Sequence, residues 1–464
     1  MQSGGFYSKL TTQNSKLTTH NSQLDPAVLY LTMSDCKSNY TYENWAHTLK
    51  FKPERFCEPD AETKVIEIVK NALARGGRVR TRGGGHSWSH FIVTDDTLVH
   101  LDRLNKGLIA DVLNHRYTVQ AGIRLKDLIH NLALDGLAMK NLGSITEQSI
   151  AGAISTGTHG TGIRLGNLST SIVGMKLVTG TGDLLTIKES DTDLLDAARV
   201  SVGALGIVTQ VTVECVPMYD LEHTTYFSKF DDVIDKIDIL NQQNERFLIW
   251  WLVAPIGPKD NVLVITMNPP GTAPGLLGQA GSPSTPGGNP LPMDTNDLLS
   301  MFLNLFPGKP FHQLLKRKGR YDEILTLPLL PVLHRESEYA IPAENAAEAL
   351  RALKRIFDEG DISTTLPVEV RFVAADHSLL SPARGKNVCY IGVSTQPNAN
   401  EVYSRVEPIM KDLGGRPHWG KHFSLKRSEV EAMYPDSYDK FCKIRKELDP
   451  KGVFTNTLIE QLFD

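Results

Sequence analysis

The sequence has no surplus of positive charge. Its 464 residues include 49 Lys and Arg against 53 Asp and Glu, which gives a formal net charge of −4 at pH 7. A protein that holds a phosphate polymer or an anionic membrane surface needs a basic excess. We therefore expect no nucleic acid partner.

Cysteine is also scarce. The five cysteines are Cys36, Cys57, Cys215, Cys389 and Cys442. They are scattered, odd in number and never in a CxxC spacing, which argues against a disulfide framework and against a structural zinc site. We expect reduced, mostly buried thiols and no bound metal.

Long apolar runs are absent as well. No window approaches the roughly 20 apolar residues of a membrane span. The opening MQSGGFYSKL has no basic patch followed by an apolar stretch, as a signal peptide would. We expect no integral membrane segment and a cytoplasmic location.

The N-terminus is a polar tandem repeat. SKLTTQN at residues 8–14 is followed by SKLTTHN at 15–21. One leucine per heptad cannot form the two-residue seam of a coiled coil, so we predict a flexible tail over residues 1–40. The remaining chain is long enough for two domains.

From residue 61 the chain alternates helix and strand signals. Val65, Val69, Ala72 and Leu73 fall on one helical face. Helices are predicted at 61–77 and 125–136, strands at 78–81, 116–122 and 205–216, and a hairpin at 171–187. This is an α+β pattern.

Two glycine-rich regions stand out, and neither has the spacing of a Rossmann or Walker motif. TRGGGHSWSH, at 81–90, follows a predicted strand, where free backbone amides can face a ligand. GSITEQSIAGAISTGTHGTG, at 143–162, offers hydroxyls and amides suited to a long polar cofactor with a pyrophosphate. A surface turn and an ordinary Ser/Gly loop are the alternatives.

The second half carries a patterned strand. PVEVRF at 367–372 puts Glu369 and Arg371 on one face and its apolar residues on the other. A structural ion pair is the alternative explanation of this pair. The sequence also predicts a strand at 338–342 and a helix at 344–359, whose buried face carries Ala346, Leu350, Leu353 and Phe357.

These blocks resemble a known flavoprotein group. RGGGHSWS, GSITEQSIAGAISTGTHGTG and SVGALGIVTQVTVECVP resemble the FAD domain of the vanillyl-alcohol oxidase and p-cresol methylhydroxylase superfamily. PVEVRF, PHWGK and LDPKGVFTNTLIEQLF resemble the aldonolactone oxidases. The resemblance runs from about residue 41 to the end and is weakest over 221–335, where the Pro- and Gly-rich stretch 268–290 is predicted to be a long loop or linker.

The resemblance implies an α+β fold with three parts. We expect a two-subdomain FAD-binding domain over 41–220, of the p-cresol methylhydroxylase type. A substrate-binding cap domain over 221–410 would have a mixed or antiparallel sheet covered by helices. A C-terminal segment, 411–464, would return to the FAD domain and complete the active site.

The resemblance also implies the site residues. Those expected to bind FAD are Arg82, Gly83, Gly84, Gly85, His86, Ser87, Gly143, Ser144, Ser149, Gly152, Ser155, Thr156, Thr158, His159, Gly160, Gly206, Ile207 and Lys421. Those expected in catalysis are Glu369, Arg371, His418 and Lys421, with Trp419 expected to pack rather than react.

Roles follow from the same resemblance. His86 occupies the position that often bonds covalently to the 8-methyl carbon of the flavin, and the absence of cysteine in 143–162 argues against a second bond. Glu369 and Arg371 would orient sugar oxygens. Lys421 would lie near flavin N1, where negative charge accumulates on reduction. His418, Glu369 or solvent could accept the substrate's hydroxyl proton.

The implied reaction oxidises an aldono-1,4-lactone of the L-gulono type to a 2-keto, ascorbate-type product, with oxygen reduced to hydrogen peroxide. An alditol oxidase acting on xylitol or sorbitol, a lactone dehydrogenase with another acceptor, and a binding module without turnover are the alternatives. In plant relatives that do not use oxygen, the position that resembles Gly143 holds an alanine. Gly143 could instead be needed because the backbone at this position has a positive φ. The oligomeric state is left open.

Overall fold

The computed structural model describes residues 36–253, 261–272, 316–327, 332–396 and 398–464. The predicted N-terminal tail falls almost wholly outside these ranges. Most of the predicted loop at 268–290 is outside them too.

The first half alternates short strands and helices, as predicted. The helix predicted at 61–77 runs from Glu62 to Ala74 and buries Val65, Val69 and Ala72. The strands are β1 Cys36–Lys37, β2 Tyr42–Glu43, β3 Lys50–Phe51, β4 Arg55–Cys57, β5 Val79–Arg82, β6 Thr97–His100, β7 Gly107–Asp111, β8 Arg116–Gln120, β9 Leu137–Ala138, β10 Ile172–Val178, β11 Leu184–Lys188, β12 Ile207–Glu214 and β13 Val216–Pro217. The helices are α1 Glu62–Ala74, α2 Leu125–Leu134, α3 Ile150–Ser155 and α4 Thr192–Arg199.

Two sheets contain nine of these strands, and the other four form the two-stranded sheets β2–β3 and β9–β13. Strand β6 lies between β4 and β5 and is parallel to both. The other sheet has five antiparallel strands in the order β11–β10–β12–β8–β7. The predicted hairpin is β10 and β11, with Met175 opposite Ile187. The predicted α+β pattern is confirmed for this half.

One eight-stranded antiparallel sheet dominates the second half, in the order β17–β14–β16–β15–β19–β20–β18–β21. Its strands are β14 Asp220–Lys229, β15 Arg246–Leu252, β16 Asn261–Asn268, β17 Lys316–Arg320, β18 Arg335–Pro342, β19 Val368–Val373, β20 Val388–Thr395 and β21 Arg416–Pro417. The helices are α5 Phe230–Ile234, α6 Ile237–Gln243, α7 Tyr321–Leu325, α8 Ala346–Asp358, α9 Ala399–Asp412, α10 Arg427–Met433, α11 Tyr438–Leu448 and α12 Thr457–Phe463.

The two faces of this sheet have different tasks. Val368, Val370 and Phe372 of β19 belong to the same buried cluster as Leu350 and Phe357 of α8, so helices cover that face. Burying each such side chain contributes about 1.5–3 kcal/mol. The residues between them on β19 point to the opposite face, because side chains alternate along a strand. The predicted antiparallel sheet with a helical cover is confirmed.

Hydrogen bonds join the C-terminal segment to the first half. The Val79 N–H donates to the Val453 carbonyl over 2.7 Å. The Asn456 side chain donates to the carbonyls of His90, Phe91 and Val93 at 2.9–3.1 Å. The C-terminal segment therefore contacts the first half, and the domain boundaries at residues 220 and 410 stay predictions.

The expectation that every cysteine is reduced is wrong. Cys36 and Cys57 are disulfide-bonded, whereas Cys215 and Cys389 are buried free thiols. Sequence spacing alone does not say which cysteines pair. Among the described residues, no helix is long and apolar enough to cross a bilayer.

Arg80, the second residue of β5, generates a stability prediction. It is 2% exposed and donates to the carbonyls of Phe91, Val202, Gly203 and Phe454 at 2.6, 2.9, 2.9 and 2.5 Å. Replacing it with methionine leaves four buried carbonyls without this donor. We expect Arg80→Met to lower the free energy of unfolding by at least about 3 kcal/mol, measured by urea denaturation.

Arg78→Met is the matched control. Arg78 lies two residues earlier, is 46% exposed and forms a surface salt bridge with Glu460 at 2.7 Å. Its loss should cost less than about 1 kcal/mol. Equal losses in the two variants would contradict the role of Arg80.

Candidate active site

A cleft with a volume of about 320 Å³ brings the two glycine-rich regions, the eight-stranded sheet and the HWGK motif together. Pockets of this size bind small molecules and cofactors. The predicted residues that line it are Arg82, Gly83, Gly84, Gly85, His86, Ser87, Gly143, Ser144, Ser149, Gly152, Ser155, Thr156, Thr158, His159, Gly206, Ile207, Glu369, Arg371, His418 and Lys421. Gly160 is not among the lining residues.

The three consecutive glycines are needed for close backbone packing. A Cβ at Gly83 would lie 2.5 Å from Ser149 Oγ, and one at Gly84 would lie 2.6 Å from the Glu147 carbonyl oxygen. Gly85 has a φ of +78°, which side chains rarely adopt. The loop is therefore built into the cleft wall, and the surface-turn alternative is wrong.

His86 is half-buried next to Trp45, with the two ring centroids 5.8 Å apart. Burial, followed by the positive charge of Arg124, lowers the pKa of His86 to about 4. The imidazole is therefore neutral at pH 7. A neutral imidazole has the free lone pair that a nucleophile requires.

Glu369 and Arg371 form an ion pair at the cleft surface. The distance between Arg371 Nη2 and Glu369 Oε1 is 2.7 Å, and the Trp250 indole donates to the same carboxylate oxygen over 3.1 Å. Arg371 also donates to the Ser144 hydroxyl. Burial lowers the pKa of Arg371, but the carboxylates of Glu369, Glu338 and Glu336 together raise it above its usual value. The pair stays charged while it lines the cleft.

Lys421 forms a salt bridge with Glu336, and its side chain is 20% exposed. Its ammonium lies 4.8 Å from the centroid of the Trp88 ring. Burial lowers the pKa of Lys421, but the charges of Glu336 and Glu338 raise it by more. Lys421 therefore brings a permanent positive charge to the cleft.

His418 is 4% exposed, and its protonation follows from one hydrogen bond. The Gly420 backbone N–H donates to His418 Nδ1 over 3.0 Å. Nδ1 is therefore unprotonated, and the neutral ring carries its hydrogen on Nε2. Burial lowers the pKa of His418 to about 3, which keeps the ring neutral. In this tautomer Nε2 is a donor.

Sequence reasoning missed two carboxylates, Glu336 and Glu338. They alternate along β18, in RESEYAIP, and both line the cleft. Glu338 Oε1 lies 3.3 Å from His159 Nε2, and the His159 ring stacks on Tyr390 with a centroid separation of 3.6 Å. Burial raises the pKa of Glu338, but His159 and then Lys421 lower it by more, so the carboxylate is ionised. Two acidic residues spaced by two, directly before the apolar residues of the same strand, were the available signal.

The glycine loop contacts the HWGK motif directly. The Trp88 N–H and the Ser87 hydroxyl both donate to the Gly420 carbonyl, over 2.8 and 2.9 Å. The Trp88 indole donates to the His334 carbonyl over 2.8 Å. These hydrogen bonds hold the part of the cleft wall that carries His86 against the part that carries Lys421.

Gly143 is not among the residues with positive φ. A Cβ there would lie 3.3 Å from the His159 carbonyl oxygen and from Thr158 Cγ2. A methyl group fits if these neighbours give by a few tenths of an ångström. Because the φ of Gly143 is not positive, the alternative that a positive φ requires this glycine is wrong.

Known proteins match both halves of the chain. A family model described as FAD binding domain matches residues 53–188, and one described as D-arabinono-1,4-lactone oxidase matches residues 319–462. The cholesterol oxidase of Brevibacterium sterolicum has a similar fold, with a TM-score of 0.73 and 16% identity over 91% of this chain and 96% of that one. The fold and the cleft define an FAD-dependent oxidoreductase.

Relatives at higher identity narrow the class. L-gulonolactone oxidase of Scyliorhinus torazame is 35% identical, and that of Bos taurus is 33% identical; each match covers 91% of this chain and 98% of the relative. L-gulono-1,4-lactone dehydrogenase of Mycobacterium tuberculosis is 34% identical over 89% of this chain and 97% of the relative. The chain belongs to the aldonolactone oxidase family of FAD-dependent enzymes.

The cleft residues fit the FAD of this family. Gly83 and Gly84 line the cleft and have no side chain that could cover their backbone amides, which can therefore donate to a cofactor. The hydroxyls of Ser155, Thr156 and Thr158 line the same cleft and can donate hydrogen bonds to phosphate oxygens.

Proposed function

We propose that this enzyme oxidises an aldono-1,4-lactone of the L-gulono type to the 2-keto, ascorbate-type product, with oxygen as the final electron acceptor. The observation that carries the proposal is that Glu369, Arg371 and Lys421 line one cleft with His86 and the glycine loop. When bound, FAD supplies the two-electron acceptor for the hydride that leaves the substrate carbon. The residues of the chain bind and orient the substrate, and they stabilise the charge that develops during the reaction.

Each polar residue has a separate task in this proposal. Arg371 donates to a lactone oxygen, while Glu369 accepts from a substrate hydroxyl. Glu369 Oε1 already accepts from Trp250 and Arg371, and a carboxylate has a second oxygen for the substrate. We favour Glu369 over His418 as proton acceptor, because the Gly420 N–H occupies His418 Nδ1 and the ring's other nitrogen is a donor. Lys421 stabilises negative charge that develops in the cleft.

The test is anaerobic reduction of the bound flavin by L-gulono-1,4-lactone, followed by absorbance. We expect Glu369→Gln, Arg371→Ala and Lys421→Ala to slow reduction about a hundredfold, which corresponds to about 3 kcal/mol, because each removes a contact to the reacting substrate or to developing charge. Flavin content should change far less than the rate.

Lys426→Ala is the matched control, because Lys426 is exposed. Its reduction rate should equal that of the unmutated enzyme. Unchanged reduction rates in all three site variants would show that the active site lies elsewhere. Faster reduction by xylitol or sorbitol than by any aldonolactone would favour an alditol oxidase, and no reduction at all would favour a binding module.

We also propose that His86 forms a covalent bond to the flavin. The support is its position at the end of the glycine loop and the low pKa that keeps its imidazole neutral. Acid-precipitated enzyme should keep its yellow flavin in the pellet, whereas His86→Ala should release it into the supernatant. His90→Ala, in an exposed position four residues later, should behave like the unmutated enzyme. A yellow supernatant from the unmutated enzyme would contradict the bond.

The proposed use of oxygen rests on Gly143, which lines the cleft without a side chain. A methyl group at this position would narrow the path of oxygen to the flavin. We expect Gly143→Ala to leave anaerobic reduction by lactone nearly unchanged and to slow reoxidation by oxygen at least tenfold, about 1.4 kcal/mol of barrier. Rapid mixing of the reduced variant with oxygenated buffer measures both. Fast reoxidation of a stable, flavin-loaded variant would contradict the proposal.

The predicted cytoplasmic location stays a prediction. The disulfide-bonded Cys36 and Cys57 weigh against it, because disulfides persist mainly in oxidising compartments. Fractionation of the source cells, with the chain followed by antibody, would decide between the two.

A further inference from the structure

A second cavity adjoins the cleft on the far side of the Glu369–Arg371 pair. Its volume is about 60 Å³, and it shares five lining residues with the cleft: Ser144, Trp250, Leu327, Glu369 and Arg371. A space of this size holds about two water-sized groups. We call it the side chamber.

The register of the eight-stranded sheet explains where the side chamber lies. Arg371 of β19 is opposite Leu248 of β15, Leu248 is opposite Ile265 of β16, and Ile265 is opposite Thr225 of β14. Directly opposed residues point to the same face of a sheet. The face that carries the Glu369–Arg371 pair therefore continues across three more strands.

The far end of this face is polar. His223 of β14 is opposite Arg317 of β17, and both line the side chamber together with Thr225. His223 is 8% exposed and Thr225 is 7% exposed, and the distance between His223 Nε2 and Thr225 Oγ1 is 3.3 Å. Two hydrogen-bonding side chains are thus buried beside a guanidinium.

Three buried nitrogens around the side chamber have no hydrogen-bond partner among the described residues: His223 Nδ1, Arg317 Nε and Arg371 Nε. A buried donor or acceptor without a partner is destabilising. A polar ligand that entered the chamber would satisfy them. Burial, and then the charge of Arg317, lowers the pKa of His223 to about 3, so the imidazole is neutral and can donate and accept.

The middle of the same face is apolar. Leu248, Ile265 and Met267 line the side chamber between the two polar ends. A ligand group that enters this small chamber therefore meets the apolar side chains through its carbon-bound hydrogens and the polar ones through its hydroxyls. The hydroxylated side chain of a sugar lactone has both.

We propose that the side chamber binds the hydroxylated side chain on C4 of the aldono-1,4-lactone, with His223, Thr225 and Arg317 as specificity-determining residues. The inference rests on the proposed lactone oxidation. Six-carbon lactones carry a two-carbon side chain at C4, five-carbon lactones carry a single hydroxymethyl group, and four-carbon lactones carry none. The chamber favours the six-carbon lactones.

The test compares kcat/KM for L-gulono-1,4-lactone and for a four-carbon threono-1,4-lactone. We expect Thr225→Val, His223→Leu and Arg317→Met each to lower kcat/KM for the six-carbon lactone at least tenfold and for the four-carbon lactone less than twofold. Flavin content and the thermal unfolding midpoint of each variant check that it folds. Thr225→Val, which removes one hydroxyl without changing shape, covers the case in which the larger changes disturb the sheet.

Thr224→Val is the matched control, because Thr224 lies between His223 and Thr225 on β14 and points to the opposite face of the sheet. It should leave both kcat/KM values unchanged. Equal losses for the two lactones, or no loss in any of the three variants, would overturn the proposal. For a lactone that does not reduce the flavin, the dissociation constant, measured from the difference spectrum of the oxidised flavin, tests the chamber without turnover. Absence of lactone oxidation with a preserved binding preference would therefore refute the proposed function alone.

Discussion

The buried guanidinium of Arg80 is the constraint on which the cofactor wall depends. It stands on β5 just before the glycine loop and donates to the Phe91 carbonyl just after it, so it holds both ends of the loop. The same group reaches the carbonyls of Gly203 and Phe454, far along the chain. A planar fork of five N–H donors can reach four separate carbonyls at once, whereas a lysine ammonium has only three donors, all on one nitrogen. Three consecutive glycines resist ordering, and this anchor offsets that entropy.

Charge pairing is the second constraint, because isolated charges are unstable in a buried cleft. Among the described residues, the ion pairs Glu369–Arg371 and Glu336–Lys421 line the cleft, and Glu338 Oε1 lies 3.3 Å from His159 Nε2. Glu369 and Arg371 lie two residues apart in the sequence, whereas Glu336 and Lys421, like His159 and Glu338, lie far apart. The pairing fixes the charged forms at neutral pH, since Arg371 and Lys421 both have raised pKa values. Removing one member of a pair leaves its partner as an unpaired buried charge.

Local patterns predicted most of this fold, and their limits are physical. Period-two alternation gave β19 and the shared face of Glu369 and Arg371, and period 3.6 gave α1 and α8. Sequence pattern does not report which strands become neighbours, so the continuity from Arg371 to His223 became visible only in the register of the sheet. Most of the predicted cofactor residues do line the cleft. They lie in two glycine-rich motifs, and each motif is one continuous stretch that can be recognised in the sequence. Gly160 does not line it, and its carbonyl instead accepts a hydrogen bond from the His159 ring over 2.9 Å.

The two faces of the eight-stranded sheet carry different residues. One face packs into the core that stabilises the fold, and the other carries the residues proposed to bind the substrate. On β14, Tyr226 points into the helix-covered core while Thr225 lines the side chamber; on β19, Val370 and Arg371 divide in the same way. A substitution on the cleft face therefore changes what the enzyme binds without repacking the helices. The same geometry imposes a limit, because a slip of one residue in register would exchange the two faces along a strand. The apolar residues of the core face, which oppose such a slip, thereby hold the polar residues of the cleft face in position.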